Sequence, residues 1–336
     1  MNSFGKIFRV TIFGESHGEC VGITIDGVPA GLPLTEDDLL VDLERRKGGK
    51  QKGTTPRQET DFPLFKSGIF NGKTTGFPIT ILFENNNTRS EDYQKQRNFP
   101  RPSHADWVAN QKFGGHEDYR GGGHFSARLT TGLVAAGAIA KRLLQTSSKE
   151  GGFNIIAAVT QINGETDLEK GLQNAIDAKD SVGGIVECKV TGVSVGLGEP
   201  YFDSLESLLA HMMFAIPAVR GIEFGTGFAA AKMFGSKHND AIENNDGKTT
   251  TNHSGGIVGG ISNGNELVFR IAIKPTSSTP KEQQSLNWET SNIENFSIKG
   301  RHDLCVALRA PVIVEAATAL VLVDLMLLEQ RIPRVL

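Results

Sequence analysis

Cysteine is scarce in this sequence, and its positions exclude two kinds of site. Only three cysteines occur among 336 residues: Cys20, Cys188 and Cys305. They lie too far apart for a CxxC metal or redox motif, and an odd number does not suit a disulfide framework. The eight histidines show no HxH or HExxH spacing, so no metal site is predicted. We expect a protein of a reducing compartment, the cytoplasm.

Long hydrophobic runs and an excess of positive charge are also absent. The start, MNSFGKIFRV, has no apolar stretch of signal-peptide length. The most apolar run, residues 312–328, is interrupted by Glu315 and Asp324 and predicts a buried helix instead of a membrane span. A net charge of -3 argues against a surface devoted to nucleic acid. We therefore expect neither a membrane nor a nucleic-acid partner.

The pattern of apolar residues favours an α+β fold built on antiparallel sheet. Asn71-Gly72 and Asn263-Gly264 each separate apolar runs, 69–70 from 77–83 and 257–261 from 267–273, and this predicts two hairpins. Residues 128–144 and 312–329 predict helices that are apolar nearly all round and must be covered on more than one side. Central helices packed between two mainly antiparallel sheets satisfy this requirement. No Pro- or Ser-rich linker divides the chain, so residues 1–336 are expected to form one domain.

Two amphipathic helices and two loops complete the expected organisation. Thr35 is the predicted N-cap of one helix, and Asp203 with Glu206 forms a capping-box pattern at the start of another. The polar stretches 236–254 and 276–298 predict long loops, which often act as lids or binding segments.

The segment RRKGGKQKGTTPR concentrates positive charge without an acidic residue. A polyanionic ligand would relieve the repulsion, because guanidinium groups match carboxylate and phosphate oxygens. The alternatives are a solvated surface loop or a nucleic-acid patch. The cations are Arg45, Arg46, Lys47, Lys50, Lys52 and Arg57.

Two further segments could hold an anion. In RGGGHFSAR, three glycines lead into a helix start near Ser126, where backbone amides favour negative charge. The alternative is a tight turn with Ser126 as its N-cap. In KPTSST, residues 274–279, one cation and several hydroxyls follow a strand; they could bind phosphate or only cap local amides.

Histidine and serine near the N-terminus suggest competing chemistries. His17 and His104 each lie among small or polar residues, where an imidazole could act as an acid near neutral pH. GESHG also matches the nucleophile elbow of a serine hydrolase at Ser16, but the following CVGITIDGV predicts a strand where that motif needs a helix. GTGFAA, residues 225–230, matches a relaxed dinucleotide fingerprint without a βαβ continuation. A hydrolase based on Ser16 and a nucleic-acid binder based on residues 45–57 are the alternative functions.

Three segments together resemble the signature regions of the chorismate synthases. They are GESHGECVG, GGGHFSARLTTGLVAAGAI and RHDLCVALRAPVIVEAA, in the family's order and spacing. Similar stretches, including DGVPAGLPLTEDDL, RPSHAD, GLGEP, NHSGGIVGGISNG and KPTSS, extend the resemblance over nearly the whole chain. The chain departs from the family's pattern at four positions. Lys52 stands where the family commonly has Arg, and Ser103 where it commonly has Gly. Pro217 stands where Asn is common, and Leu304 where Pro is common.

The resemblance implies a β-α-β sandwich with internal helices and a homotetramer. It also implies an enzyme that uses reduced FMN to expel phosphate from 5-enolpyruvylshikimate-3-phosphate in an anti-1,4-elimination. The product, chorismate, is the last common intermediate of the shikimate pathway to aromatic amino acids. NADPH is expected only as an indirect reductant, through a separate flavin reductase.

Matching positions imply roles for individual residues. His17 would lie near the flavin and supply a proton with support from Ser16, His104 would lie near the departing phosphate, and Asp303 would assist proton movement near flavin N5. The implied substrate contacts are Arg46, Lys52, Arg128 and Arg301. The implied FMN contacts are His124, Phe125, Ser126, Ala218, Gly259, Lys274, Pro275, Thr276, Ser277, Ser278 and Arg301.

Overall fold

Two antiparallel sheets form the outer layers of the protein. The computed structural model describes residues 2–49, 51–55, 60–86, 97–147, 152–298 and 302–336. The first sheet has the strand order β1-β2-β3-β7-β4. In chain order the strands of this region are β1 (Ser3–Phe4), β2 (Arg9–Gly14), β3 (Cys20–Asp26), β4 (Leu64–Ser67), β5 (Ile69–Phe70), β6 (Lys73–Thr74) and β7 (Ile79–Glu84), of which β5 and β6 pair separately.

The second sheet is also antiparallel and has the strand order β10-β13-β9-β8. Its strands are β8 (Asn154–Ile162), β9 (Gly184–Thr191), β10 (Val219–Phe224) and β13 (Leu267–Ile273). Alternate residues of β13, from Leu267 to Ile273, are buried, as expected for a strand with one face towards the core.

Seven helices connect or fill the layers in the described part of the chain. They are α1 (Asp37–Arg46), α2 (Asp106–Phe113), α3 (Thr130–Ser147), α4 (Leu168–Ala178), α5 (Leu205–Phe214), α6 (Gly235–His238) and α7 (Ala310–Leu328). Helix α3 packs on the first sheet, α7 packs on the second, and the two helices pack against each other. A Cβ atom at Gly137 would lie 2.2 Å from Cβ of Ala316, so glycine allows this close crossing. The arrangement confirms the predicted α+β sandwich with central helices.

Helix α7 is the buried core helix that its composition predicts. The helical run Val306–Leu328 is long and apolar enough to cross a membrane. However, 89% of its most apolar 18-residue stretch is buried inside the structure. Both charged side chains of α7 itself, Glu315 and Asp324, have partners. Glu315 binds Arg45 and Lys141, and Asp324 accepts hydrogen bonds from the backbone N–H groups of residues 6–8.

Both predicted hairpins are wrong in part, because distant strands replace the expected local partners. The Asn71-Gly72 turn forms, but it joins β5 to β6, and β7 pairs instead with β3 and β4. In the second case the chain reverses at Gly259-Gly260, between β11 (Ile257–Val258) and β12 (Ile261–Ser262). Asn263-Gly264 then leads into β13, whose partners are β9 and β10.

Helix caps and one loop also differ from prediction. The N-cap of α1 is Glu36 instead of Thr35. The N-cap of α5 is Ser204, whose hydroxyl accepts a hydrogen bond from the N–H of Ser207, so Asp203 is not the cap. The polar stretch 276–298 contains a hairpin of two strands, β14 (Gln283–Leu286) and β15 (Ile293–Phe296).

Candidate active site

One large cavity collects most of the candidate residues. Its volume is about 710 Å³, and β2 and the C-terminal half of α5 contribute apolar walls. The charged and histidine side chains that line it come from distant stretches of the sequence. They are Arg46, Arg101, His104, His124, Arg128, His211, Arg220, Lys274, His302, Asp303 and Arg309.

A turn of three glycines packs against Ser16, which lines this cavity, and against His17, which lies behind the cavity wall. Gly121, Gly122 and Gly123 all have positive φ, a conformation that glycine adopts without strain. A Cβ atom at Gly121 would lie 2.4 Å from Cδ2 of His17 and 3.0 Å from Oγ of Ser16. Only glycine at this position lets the turn pack directly on the two predicted catalytic side chains.

The residues after the glycine turn both cap a helix and line the cavity. The hydroxyl of Ser126 accepts a hydrogen bond from the N–H of Arg128 at 3.3 Å and caps a short 3₁₀ turn. Nδ1 of His124 lies 2.8 Å from the backbone oxygen of Gly14, so this nitrogen donates its proton to β2. The N-cap and ligand-site interpretations of RGGGHFSAR are therefore compatible.

The surroundings of Ser16 do not support a hydrolase elbow. Ser16 lies in the connection between β2 and β3, and that connection contains no helix. Its hydroxyl is buried and has no hydrogen-bond partner among the described residues. The GTGFAA segment likewise lacks a βαβ unit, because β10 is followed by the 3₁₀ turn Gly227–Lys232.

Two arginines and one aspartate form a buried group that we call the arginine cluster. Arg46, Asp61 and Arg128 are only 2%, 2% and 5% exposed. The Asp61 carboxylate pairs with Nη1 of Arg46 at 3.5 Å and with Nη1 of Arg128 at closer range. Burial alone raises the pKa of Asp61, but the two guanidinium groups lower it below its ordinary value. Within this group of three residues, two positive charges therefore face one negative charge at the cavity wall.

Asp303 is connected to the arginine cluster through Arg309. The Asp303 carboxylate accepts hydrogen bonds from the N–H of Thr55 at 2.8 Å and from Nη1 of Arg309 at 3.1 Å. Nε of Arg309 donates to the backbone oxygen of Arg46 at 2.9 Å. Next to Asp303, burial and then Arg101 lower the pKa of His302 to about 4, so this imidazole is neutral at pH 7.

A second group, the histidine cluster, consists of Arg101, His104, Asp106 and Lys274. The Asp106 carboxylate accepts from Nε of Arg101 at 2.7 Å and lies 2.6 Å from Nδ1 of His104. Burial, followed by Arg101, lowers the pKa of His104, although Asp106 opposes this shift. Nζ of Lys274 donates to Oγ of Ser277 at 2.7 Å, and burial and then Arg220 lower the pKa of Lys274.

Most of the residues predicted from the sequence meet in this cavity. His17 lies directly behind its wall, against Gly121, and Pro275 lies between two lining residues without lining it. The predicted residues that line it are Ser16, Arg46, His104, His124, Phe125, Ser126, Arg128, Ala218, Lys274, Thr276, Ser277, Ser278 and Asp303.

Two predicted residues lie elsewhere. Nζ of Lys52 donates to Oε1 of Gln173 on α4, and Lys52 does not line the cavity. Gly259 lies in the β11–β12 turn, which contacts the N-terminal end of α5 through the bond from the N–H of Leu205 to the Gly260 oxygen. The cavity meets the other end of this ten-residue helix, about 15 Å away. Arg301 lies outside the described residues.

The basic segment does not converge on one ligand as its composition suggests. Arg46 lines the cavity, but Arg45 on the adjacent face of α1 forms an ion pair with Glu315 at 2.6 Å. Lys47 pairs with Glu44. Lys50 and Arg57 lie outside the described residues.

Sequence reasoning missed several residues that line the cavity or bind the side chains that line it. Arg101 and Asp106 both belong to the RPSHAD segment, in which the resemblance implies a role only for His104. Arg309 belongs to the C-terminal signature segment, in which a role was predicted for Asp303 but not for Arg309. Asp61 gave no local signal, because its partners are 15 and 67 residues away in the sequence.

Comparison with known proteins identifies the family. The family model described as chorismate synthase matches residues 8–327. The chain belongs to the chorismate synthase family. The chorismate synthase of Chitinophaga pinensis is 65% identical over 335 residues, which cover 100% of this chain and 99% of that relative. The enzyme of Lachnospira eligens is 47% identical over 349 residues, which cover 96% and 94% of the two chains.

A solved structure supports the same assignment. It is described as the crystal structure of a chorismate synthase and matches with a TM-score of 0.73 and 26% sequence identity, covering 97% of this chain and 93% of that one. The resemblance found in the sequence is therefore confirmed. As a member of this family, the protein is a carbon–oxygen lyase of the shikimate pathway that acts on a small-molecule substrate. Enzymes of this family depend on a flavin.

Proposed function

We propose that the cavity binds reduced FMN together with 5-enolpyruvylshikimate-3-phosphate and catalyses the anti-1,4-elimination of phosphate that gives chorismate. The observation that carries this proposal is the meeting of the arginine cluster and the histidine cluster in one cavity of about 710 Å³. A substrate with two carboxylates and a phosphate needs cations of this kind, and these clusters supply them from distant stretches of a nearly neutral chain.

The residues present fit a flavin mononucleotide. The volume lies within the range of small-molecule and cofactor sites. Val10, Ile12 and Leu133 give an apolar wall for a flat ring system. Oγ1 of Thr276 and Nε2 of His302 are buried without a hydrogen-bond partner among the described residues, so both are available to polar atoms of a ligand.

The cavity supports FMN contacts for eight of the residues named from the sequence. Lys274 with its neighbouring hydroxyls suits a phosphate, and the chemistry that bound reduced flavin supplies is transient electron donation without net redox change. Gly259 lies outside the cavity of one chain, so its role receives no support from this geometry. The supported contacts are His124, Phe125, Ser126, Ala218, Lys274, Thr276, Ser277 and Ser278.

The chain's own residues bind and orient the substrate and hold protons. Arg46 and Arg128 meet its anionic groups, because their planes are already fixed by Asp61. His104 donates a proton to the departing phosphate, and Arg101 beside it neutralises charge. His17, supported by Ser16, and Asp303 hold protons close to the flavin.

Assembly and supply of the cofactor are part of the same proposal. We expect a homotetramer, and very exposed aromatic side chains such as Tyr201 (86%) and Phe202 (94%) favour subunit contacts. We also expect one domain over residues 1–336, a cytoplasmic location, and reduced FMN delivered by a separate reductase that uses NADPH.

An anaerobic assay of phosphate release and chorismate formation tests this function. Purified protein is supplied with 5-enolpyruvylshikimate-3-phosphate and with reduced FMN, oxidised FMN or no flavin. We expect equal amounts of phosphate and chorismate only with reduced FMN. Phosphate release without chorismate, or equal turnover without flavin, would contradict the proposal.

A further inference from the structure

We propose that Asp106 is a positioning residue for His104, fixing the imidazole with Nδ1 as donor and Nε2 directed to the cavity. This inference rests on the proposed role of His104 as proton donor. Asp106 itself does not line the cavity, whereas His104 and Arg101 do. Its effect on the reaction must therefore pass through one of these two neighbours.

The charge state of Asp106 decides which histidine nitrogen carries the proton. Burial alone raises the pKa of the Asp106 carboxyl, but hydrogen bonds from Arg101 and His104 lower it far below its ordinary value. A carboxylate can only accept hydrogen bonds. Nδ1 of His104, at 2.6 Å from Oδ1 of Asp106, is therefore the donor in this pair.

Arg101 makes the arrangement more rigid without competing for the histidine. Its Nη2 lies 2.7 Å from Oδ1 of Asp106 and 3.0 Å from Nδ1 of His104. Since both nitrogens are donors, the contact between them is not a hydrogen bond, and both protons point to the same carboxylate oxygen. The N–H and Nε of Arg101 donate to Oδ2 at 3.0 and 2.7 Å. The carboxylate is thus held on both oxygens.

The local backbone places the carboxylate at Nδ1, and Nε2 is the other ring nitrogen of a histidine that lines the cavity. Asp106 is the first residue of α2, where backbone amides favour an acidic side chain. On the other side of the ring, a Cβ atom at Gly122 would lie 3.2 Å from Cε1 and 3.5 Å from Nε2 of His104. The glycine lets its backbone pack against this edge of the imidazole without a side-chain clash. Apart from Arg101 and Asp106, the charged or titratable neighbours among the described residues are Lys274 and His302.

A fixed tautomer has a direct chemical consequence. When His104 is protonated, its second proton is on Nε2, the nitrogen that faces the cavity and can donate to an anion leaving the substrate. Without the carboxylate, the ring can rotate or adopt the Nε2–H tautomer when neutral, and Arg101 loses its partner. The proton is then delivered less often in a productive geometry.

The first test is spectroscopic and needs no turnover. In protein with ¹⁵N-labelled histidine, we expect the neutral His104 ring to carry its proton on Nδ1 in the wild type and to shift towards the Nε2–H form in Asp106→Asn. An Nε2–H form in the wild type would overturn the inference, even if the variant failed to fold.

The second test is a double-mutant cycle in the anaerobic assay. We expect Asp106→Asn to lower kcat about 100-fold with KM nearly unchanged, and to cause no further loss in a His104→Ala background. Glu187→Gln, which removes a carboxylate ion-paired with Arg270 outside the cavity, is the matched control with normal turnover. An equal additional loss in the His104→Ala background would show that Asp106 acts independently of His104.

The outcomes separate this inference from the proposed function. If His104→Ala is impaired while Asp106→Asn is normal, only the positioning role fails. If His104→Ala itself turns over normally, the proposed role of His104 fails as well.

Discussion

The arginine cluster and the histidine cluster both present cations to one cavity, but they differ in burial and in their carboxylate partners. Asp61 is buried between two arginines and forms ion pairs with both. Asp106 is partly exposed and orients a group that can gain and lose a proton. The arginine cluster, whose guanidinium groups keep their charge, therefore suits substrate binding. The histidine cluster, in which His104 can gain and lose a proton, suits the chemical step.

The largest effect is expected from removing the variable charge. His104→Ala and His17→Ala should each lower kcat by about 100- to 10,000-fold with the fold intact, because each loses a general acid. His116→Ala, which removes an exposed histidine, should turn over normally. Near-normal kcat in both His104→Ala and His17→Ala would refute their roles as general acids, and in His104→Ala it would also remove the distinction between the clusters.

Removing the fixed charge should affect stability most. Asp61→Asn removes the buried carboxylate that pairs with both Arg46 and Arg128, and we expect the free energy of unfolding to fall by about 3–5 kcal/mol. Asparagine suits this test because Asp61 has φ 47°, a conformation that asparagine tolerates. Urea unfolding measures the loss, and added inorganic phosphate should restore part of it in the variant.

The difference in stability between the wild type and Asp61→Asn should depend on pH in a defined direction. The pKa of folded Asp61 is lowered, so its stabilisation is present above the unfolded pKa of about 3.9 and is lost as the pH falls through the lower folded value. The stability difference between wild type and Asp61→Asn should shrink in that acidic window. A constant difference from pH 7 to pH 3 would contradict a stabilising carboxylate.

A smaller effect, on KM for the substrate, should distinguish Arg46 from its neighbour Arg45 on α1. Arg46→Ala should raise KM for the substrate about 10- to 100-fold with a smaller change in kcat, since charged hydrogen bonds contribute about 1.5–3 kcal/mol. Arg45→Ala, whose side chain binds Glu315 instead, is the matched control and should change stability but leave KM unchanged. Equal KM values in the two variants would exclude Arg46 from substrate binding.

The smallest effect concerns the backbone that carries the histidine cluster. Ser103 has φ 58°, a backbone conformation in which a side chain is disfavoured. Ser103→Gly should therefore raise the free energy of unfolding by roughly 0.5–1 kcal/mol, measured by urea unfolding. As a control, Asn174→Gly on the exposed face of α4 should lower the free energy of unfolding, because glycine disfavours a helix. A loss in Ser103→Gly would show that its side chain stabilises this turn.

The sequence predicted well the features that depend on local pattern. The alternation in residues 267–273 and the apolar runs that form α3 and α7 follow directly from the spacing of side chains, and the layered fold follows from their need for cover. Pairing between distant residues could not be predicted in this way. The partners of β7, the carboxylate of Asp61 between two arginines and the separation of Gly259 from the cavity all depend on how remote segments meet.

The position of α7 between the layers also bears on how the protein is made. Every other described helix and strand precedes α7 in the chain, yet this helix covers apolar faces of both α3 and the second sheet. Until residues 310–328 have left the ribosome, those faces remain open to water and to other nascent chains. Asp303 and Arg309, just before α7, emerge equally late. The active site is therefore complete only after residues 303–328 have been synthesised, and shorter nascent chains expose apolar surface that the folded protein buries.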